Sequence, residues 1–282
     1  MTIPTEPIGS IPRPPELLDM LKRYRNGAAS SEQLSEAYDQ ALKDTIERFE
    51  ATGSPVITDG EQRKSSFMTY PLEGLTNVAG DGLLIPFEDG HSRQLPRLTA
   101  GPFRYQKHAV DYLQSALPYA HVPVKQAVIS ASALSLIYPQ EELAGYSRED
   151  FLNDLVREVA EDIRRCLAAG GHRVQIDFTE GRLAIKLDPS KALLRQFIDV
   201  NNRVLDQFST EDKKRIGIHT CPGGDRDSTH SADVDYGELL TDLFQIEAGN
   251  FYVQLASEAD PRRVLAIIQR CLKSDQRVFV GV

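Results

Sequence analysis

Tyr146–Phe178 reads YSREDFLNDLVREVAEDIRRCLAAGGHRVQIDF. Phe151, Leu152, Leu155, Val156, Val159, Ile163 and Leu167 fall at the spacing of one helix face. Ser147 with Asp150 makes a capping-box start, and Gly170-Gly171 makes the stop, because glycine takes the left-handed conformation that ends a helix. HRVQIDF then follows at once as an extended run. A helix that hands over directly to a strand is half of a parallel unit, since parallel strands need a crossover between them.

Outward from this stretch the same step recurs. SEQLSEAYDQALKDTIERFEATG (31–53) gives way to SPVITDGE (54–61), and DPSKALLRQFIDVNNRVLDQF (188–208) leads to RIGIHTC (215–221). DYGELLTDLFQIEAG (235–249) precedes NFYVQLA (250–256), and DPRRVLAIIQRCLKSD (260–275) precedes QRVFVGV (276–282). A strand near Gly9, one at PRLTAG (96–101) and one at PVKQAVIS (123–130) bring the candidates to eight, the number that closes a (β/α)8 barrel. The predicted fold class is therefore α/β, a (β/α)8 TIM barrel over a single domain, 1–282, with RVFVGV as its last strand and its final helix missing. Such a gap predicts an apolar strip that the N-terminal segment or a partner chain covers, hence a homo-oligomer as one expectation. An open doubly wound sheet is the alternative, but IGSIPRP offers one glycine where a dinucleotide fingerprint needs several. GDGLLIPFEDGHSRQLP (80–96) is too rich in Gly, Pro and Asp for a helix and reads as a hairpin or an excursion over the barrel mouth.

Composition narrows the function classes. With 41% hydrophobic and 26% charged residues the 282-residue chain has an ordinary globular balance. A net charge of −9 and no basic run interleaved with aromatics argue against nucleic acid or an anionic membrane, leaving a small molecule as the expected partner. No run approaches the roughly 18 to 20 apolar residues of a membrane span. Three cysteines and an N-terminus without the basic-then-apolar layout of a secretory signal predict a reduced, cytoplasmic protein.

Barrel enzymes build their sites where strands end. Ser10, Asp59 with Glu61, Ser130, Asp177 with Glu180, His219 with Cys221, and Gln254 all sit at or just past predicted strand ends. His219 and Cys221, two apart on an extended segment, share a face, so one metal ion could use both. The competing readings are a nucleophile and an ordinary turn before Pro222-Gly223-Gly224. Asp177 and Glu180 form a candidate acid and base pair. Cys166 and Cys271 lie in amphipathic helices and read as core thiols, while Asp225, Asp227 and His230 read as a solvated loop.

EPIGSIPRP, TDGEQR, VPVKQAVIS, VQIDFTEGR and IGIHTCPGGD stand in the order of matching segments in the catalytic barrel of cobalamin-independent methionine synthase. The chain resembles the short single-domain members of that superfamily. The resemblance implies a zinc ion that binds an acceptor thiol, with His219 and Cys221 matching two of its ligands, and a methyl-folate as co-substrate. It implies that Ile8, Gly9 and Ser10 hold an amino-acid carboxylate and that Glu61 and Asp177 bind its ammonium group. The implied function is zinc-dependent methyl transfer to homocysteine, or to another small-molecule thiol. The alternatives are a related epoxide–thiol transferase of the coenzyme M type and a non-catalytic homologue. Three departures stand out. The family's DEPA is DFTE here (177–180). Its glutamate ligand falls near Gln254 or Leu255, with Glu258 further on. Its final cysteine lies beyond the eighth strand, inside which this sequence was expected to end.

Overall fold

The computed structural model describes residues 3–282, so Met1 and Thr2 lie outside it. Helix Arg148–Ala168 begins as its sequence predicts: Ser147 Oγ accepts from the Asp150 N–H, and Asp150 returns a bond to the Ser147 N–H. Its buried face carries Phe151, Leu155, Val159, Ile163 and Cys166, each large apolar side chain worth roughly 1.5–3 kcal/mol of transfer free energy. Gly170, at φ 93°, ends it.

Five parallel strands make the central sheet: β1 (Lys125–Ile129), β2 (Arg173–Asp177), β3 (Ile216–Thr220), β4 (Asn250–Gln254) and β5 (Arg277–Gly281). They lie side by side in chain order. A helix precedes each of the last four, and helices Ala192–Leu205, Tyr236–Leu243 and Pro261–Cys271 repeat the crossover. Ile57 extends the sheet by a parallel bridge to Val124. Register places Ile129 beside Asp177, Asp177 beside His219, and His219 beside Tyr252. Because strand side chains alternate faces, Val174, Ile176, Ile216, Ile218, Phe251 and Val253 form the buried apolar face joined to the helices. Arg173, Gln175, Asp177, His219 and Tyr252 take the other.

Two of the eight expected strands are not strands. PRLTAG does not join the parallel sheet; Arg97–Leu98 pairs antiparallel with Val78–Ala79 in a two-stranded ribbon. Between Thr58 and Arg97 the chain forms only a short 3-10 turn, Tyr70–Leu72, so no crossover helix exists to bring that segment round parallel to Ile57. The segment around Gly9 is extended but carries no ladder, because Pro4, Pro7 and Pro12 remove donors. It is tied beside 54–60 instead, by Ser54 Oγ to Thr5 O at 2.9 Å and Ile11 N to Gly60 O at 3.2 Å. RVFVGV is the edge of the sheet, paired with β4 alone among the described strands, and leaves Val280 39% exposed.

The expected excursion is present. Leu84–Pro86 and Ser92–Gln94 form an antiparallel hairpin that reaches the loop after β3, where Glu88 N bonds Thr229 O at 3.0 Å and Arg93 pairs with Asp225 at 2.8 Å. No helix among the described residues is long and apolar enough to cross a membrane.

Candidate active site at the strand ends

Asp177 closes β2, and His219 stands directly across from it on β3. That register brings His219 Nδ1 to 3.1 Å from Asp177 Oδ1, and Gln175, two residues earlier on the same face, donates to that oxygen at 2.7 Å. A carboxylate only accepts, so the bond puts the proton on Nδ1 and leaves Nε2 for chemistry. Cys221 follows on the same face just past the strand end, hydrogen-bonded to His219. Burial opposes charge on His219, but the Cys221 thiolate and the Asp177 carboxylate outweigh it and carry the imidazole up to about 10. Burial opposes the Cys221 thiolate too, and His219 together with the Gly223 N–H wins, holding the thiol below its ordinary value.

The turn after Cys221 is built for close approach. Gly223, at φ 71°, lies under the His230 ring, whose Nε2 would stand 1.8 Å from a Cβ placed there. His230, read from the sequence as a solvated loop residue, is instead buried and bonded to the Ser231 hydroxyl at 2.8 Å. Asp225 is also engaged, by Arg93 and, at 3.3 Å, by His91. Asp227 is exposed, as expected.

Glu61 enters from the other side, in the turn after Ile57. It takes φ 55°, and its N–H bonds Asp59 Oδ1 at 2.9 Å. Lys64 Nζ donates to Glu61 Oε1 at 2.7 Å and to Ala127 O at 2.9 Å. Burial works against the Lys64 ammonium, but Glu61, Asp59 and Asp177 outweigh it and raise its pKa. Gly9 packs against the Glu61 carboxyl, and Ser10, Glu61 and Lys64 border one cavity of about 750 Å³. Ile8 and Ser10 are exposed, while Gly9 is buried.

Glu180 stands apart. Its Oε1 accepts from Ser130 Oγ at 2.7 Å and from the Ser132 hydroxyl, and Asn201 Nδ2 supports Ser132 at 2.7 Å. Burial raises its carboxyl to about 7. Among the described residues no hydrogen bond joins Glu180 to Asp177 or His219, so the two acids expected as a pair occupy separate networks.

The remaining metal-ligand candidates are engaged elsewhere. Glu258 pairs with Arg182, Gln254 Nε2 bonds Ser257, and Leu255 is buried core. Cys166 is buried, and Cys271 is half-buried in its helix. An open catalytic zinc site draws three protein donors. No cluster of three His, Cys, Asp or Glu that could hold one ion occurs among the described residues. His219 and Cys221 therefore supply two donors, and the set does not fit zinc without a further ligand.

Sequence reasoning missed Lys64 and Glu6. Glu6 accepts from Tyr252 OH at 2.9 Å, pairs with Arg173 and lies 3.6 Å from Lys125 Nζ, pinning the N-terminal segment to β1, β2 and β4. Lys64, three residues after Glu61, was visible only as an i, i+3 charge pair.

A sequence profile for the catalytic domain of cobalamin-independent synthase matches residues 3–250. Methionine synthase of Sulfurisphaera tokodaii is 25% identical over 175 residues, covering 62% of this chain and 51% of that protein. A 5-methyltetrahydropteroyltriglutamate–homocysteine methyltransferase of Shewanella oneidensis is 26% identical over 225 residues, covering 78% and 29%. The match thus spans about half the archaeal relative and under a third of the bacterial one. Among solved structures, a B12-independent methionine synthase from Shewanella sp., in complex with selenomethionine, superposes with TM-score 0.72 at 19% identity, over 99% of this chain and 79% of that one. A putative vitamin-B12-independent methionine synthase from Listeria monocytogenes gives 0.69 at 20%, over 97% and 78%. These two share the fold.

Proposed function

This chain belongs to the family of cobalamin-independent synthase catalytic domains, and from that premise we propose that it transfers a methyl group to the sulfur of a small thiol, with Asp177, His219 and Cys221 at the reacting centre. The observation that carries the reading is the Asp177–His219 bond with Cys221 beside it on one strand face. The methyl donor in this reading is a methyl-folate, and the setting is the reduced cytoplasm, where Cys166, Cys221 and Cys271 stay free thiols.

Thiolates, not thiols, attack carbon. Asp177 fixes the imidazole ring so that it receives the acceptor's proton beside Cys221. The acceptor sulfur then bonds the methyl carbon as the carbon–nitrogen bond of the donor breaks, and the proton passes to the donor nitrogen. A zinc ion would lower the acceptor thiol's pKa; His219 and Cys221 offer two donors for it, and no step here is routed through it. Gly9, Ser10 and Glu61 line the approach, where binding places sulfur and methyl in line.

The test supplies methyl-tetrahydrofolate and a panel of small thiols and follows loss of free thiol with formation of thioether. Wild type gives product; Cys221→Ala and His219→Ala, checked for folding by circular dichroism, lose at least about 100-fold. Undiminished turnover in both variants would sink the reading.

A further inference from the structure

We infer that the acceptor thiol is an anion without an ammonium group, such as a mercaptocarboxylate or mercaptosulfonate, because Lys64 already occupies the Glu61 carboxylate with an internal ammonium. The inference rests on the thiol-methylating reading above and sharpens it.

Lys64 is held as a bound ligand would be. Its side chain is 1% exposed and that of Glu61 6%. Nζ spends one donor on Glu61 and one on the Ala127 carbonyl, and it lies over the Tyr70 ring at 4.9 Å and the Tyr112 ring at 5.8 Å. Carboxylate, carbonyl and two aromatic faces are what recognises an ammonium group. A lysine so enclosed does not swing out to make room. The second carboxylate expected to hold an ammonium, Asp177, has its Oδ1 taken by Gln175 and His219. A substrate ammonium placed against Glu61 would sit within a few ångströms of Lys64, where like charges in a buried setting repel strongly.

The cavity itself carries the second observation. Arg13, Lys64, Arg93 and Arg226 line it against three acids. Of those, Glu61 is paired with Lys64 and Asp225 with Arg93, leaving Asp227. Four cations facing three acids suit a ligand whose charge is negative, and Ser10 adds a hydroxyl donor at the same wall.

Two probes separate the possibilities: 4-mercaptobutanoate and L-homocysteine, which differ only in the ammonium group. Each is titrated calorimetrically into the wild-type protein at pH 7 without methyl donor. The expected result is tighter binding of 4-mercaptobutanoate by on the order of 10- to 100-fold. Lys64→Met frees Glu61 and reverses the order. Equal or tighter binding of homocysteine to wild type overturns the inference and leaves methyl transfer to a thiol standing, since product formation is read separately. Binding of neither thiol overturns both. Should Lys64→Met fail to fold, the wild-type comparison decides alone; should it fold and keep the preference for 4-mercaptobutanoate, Lys64 is not the cause and the inference fails.

Discussion

Glu180→Gln should make the protein more resistant to alkaline conditions. The Glu180 carboxyl is buried, and that burial lifts it from an ordinary 4.5 to about 7. The native state therefore holds a proton that the unfolded chain has released between those values. Stability falls with pH wherever the native state binds more protons, so this contribution is complete below pH 4.5 and is lost as pH rises through 7. A rise of about 2.5 pH units at roughly 1.36 kcal/mol each gives a loss of about 3 kcal/mol by pH 8. Glutamine keeps an oxygen for the Ser130 and Ser132 hydroxyls and never ionises. Its amide nitrogen replaces Oε2, which has no partner, at a pH-independent cost of roughly 1–3 kcal/mol. Urea unfolding of both proteins at half-unit steps from pH 4.5 to 8.5 measures the difference curve, in which other titrating groups such as Asp162 cancel. The variant should start less stable at low pH and gain about 3 kcal/mol relative to wild type across the window. A flat difference curve would show that Glu180 ionises normally and that its serine cradle is not as dry as its geometry implies.

Asp177→Asn removes the carboxylate that orients His219; turnover should drop about 100-fold or more with little change in melting temperature, and an unchanged rate would remove Asp177 from the mechanism. Gly223→Ala puts a methyl group against the His230 ring at a positive φ, so unfolding free energy should fall by about 1–3 kcal/mol, a loss absent if the loop simply moves aside. Zinc should bind only in the micromolar range, because two donors provide about half of the roughly 10–16 kcal/mol of a complete site. Competition against a chromophoric chelator measures this, Cys221→Ala should abolish it, and nanomolar binding would mean that a further ligand had been overlooked.

Much of the parallel architecture was legible because each step is punctuated locally. Ser147 with Asp150 caps one helix and Gly170 ends it, and neither signal depends on the rest of the chain. PRLTAG misled because a short apolar run bounded by proline and glycine looks alike in a parallel core and in an antiparallel ribbon; only the lack of a crossover helix before it separates the two. His219 and Cys221 were readable from period-two spacing, and Asp177 joined them through register, which sequence order alone implied. Glu180 was assigned to the same centre on proximity in sequence, yet the helix that begins at Gly181 places it with Ser130 and Ser132. Lys64 lay beyond sequence reading because a buried lysine and a solvated one are written with the same letter, and burial here depends on Tyr70, Tyr112 and Ala127 closing over it.

The central claim is that this chain moves a methyl group onto a thiol sulfur at Cys221 and His219. Its most direct measurement uses methyl-tetrahydrofolate carrying a trideuterated methyl group, incubated with stoichiometric protein and a small anionic thiol, with the products read by mass spectrometry. The account predicts a thioether three mass units heavier than its unlabelled counterpart, absent with Cys221→Ala. Intact donor and unmodified thiol from folded wild-type protein, or the same labelled product from Cys221→Ala, would contradict it.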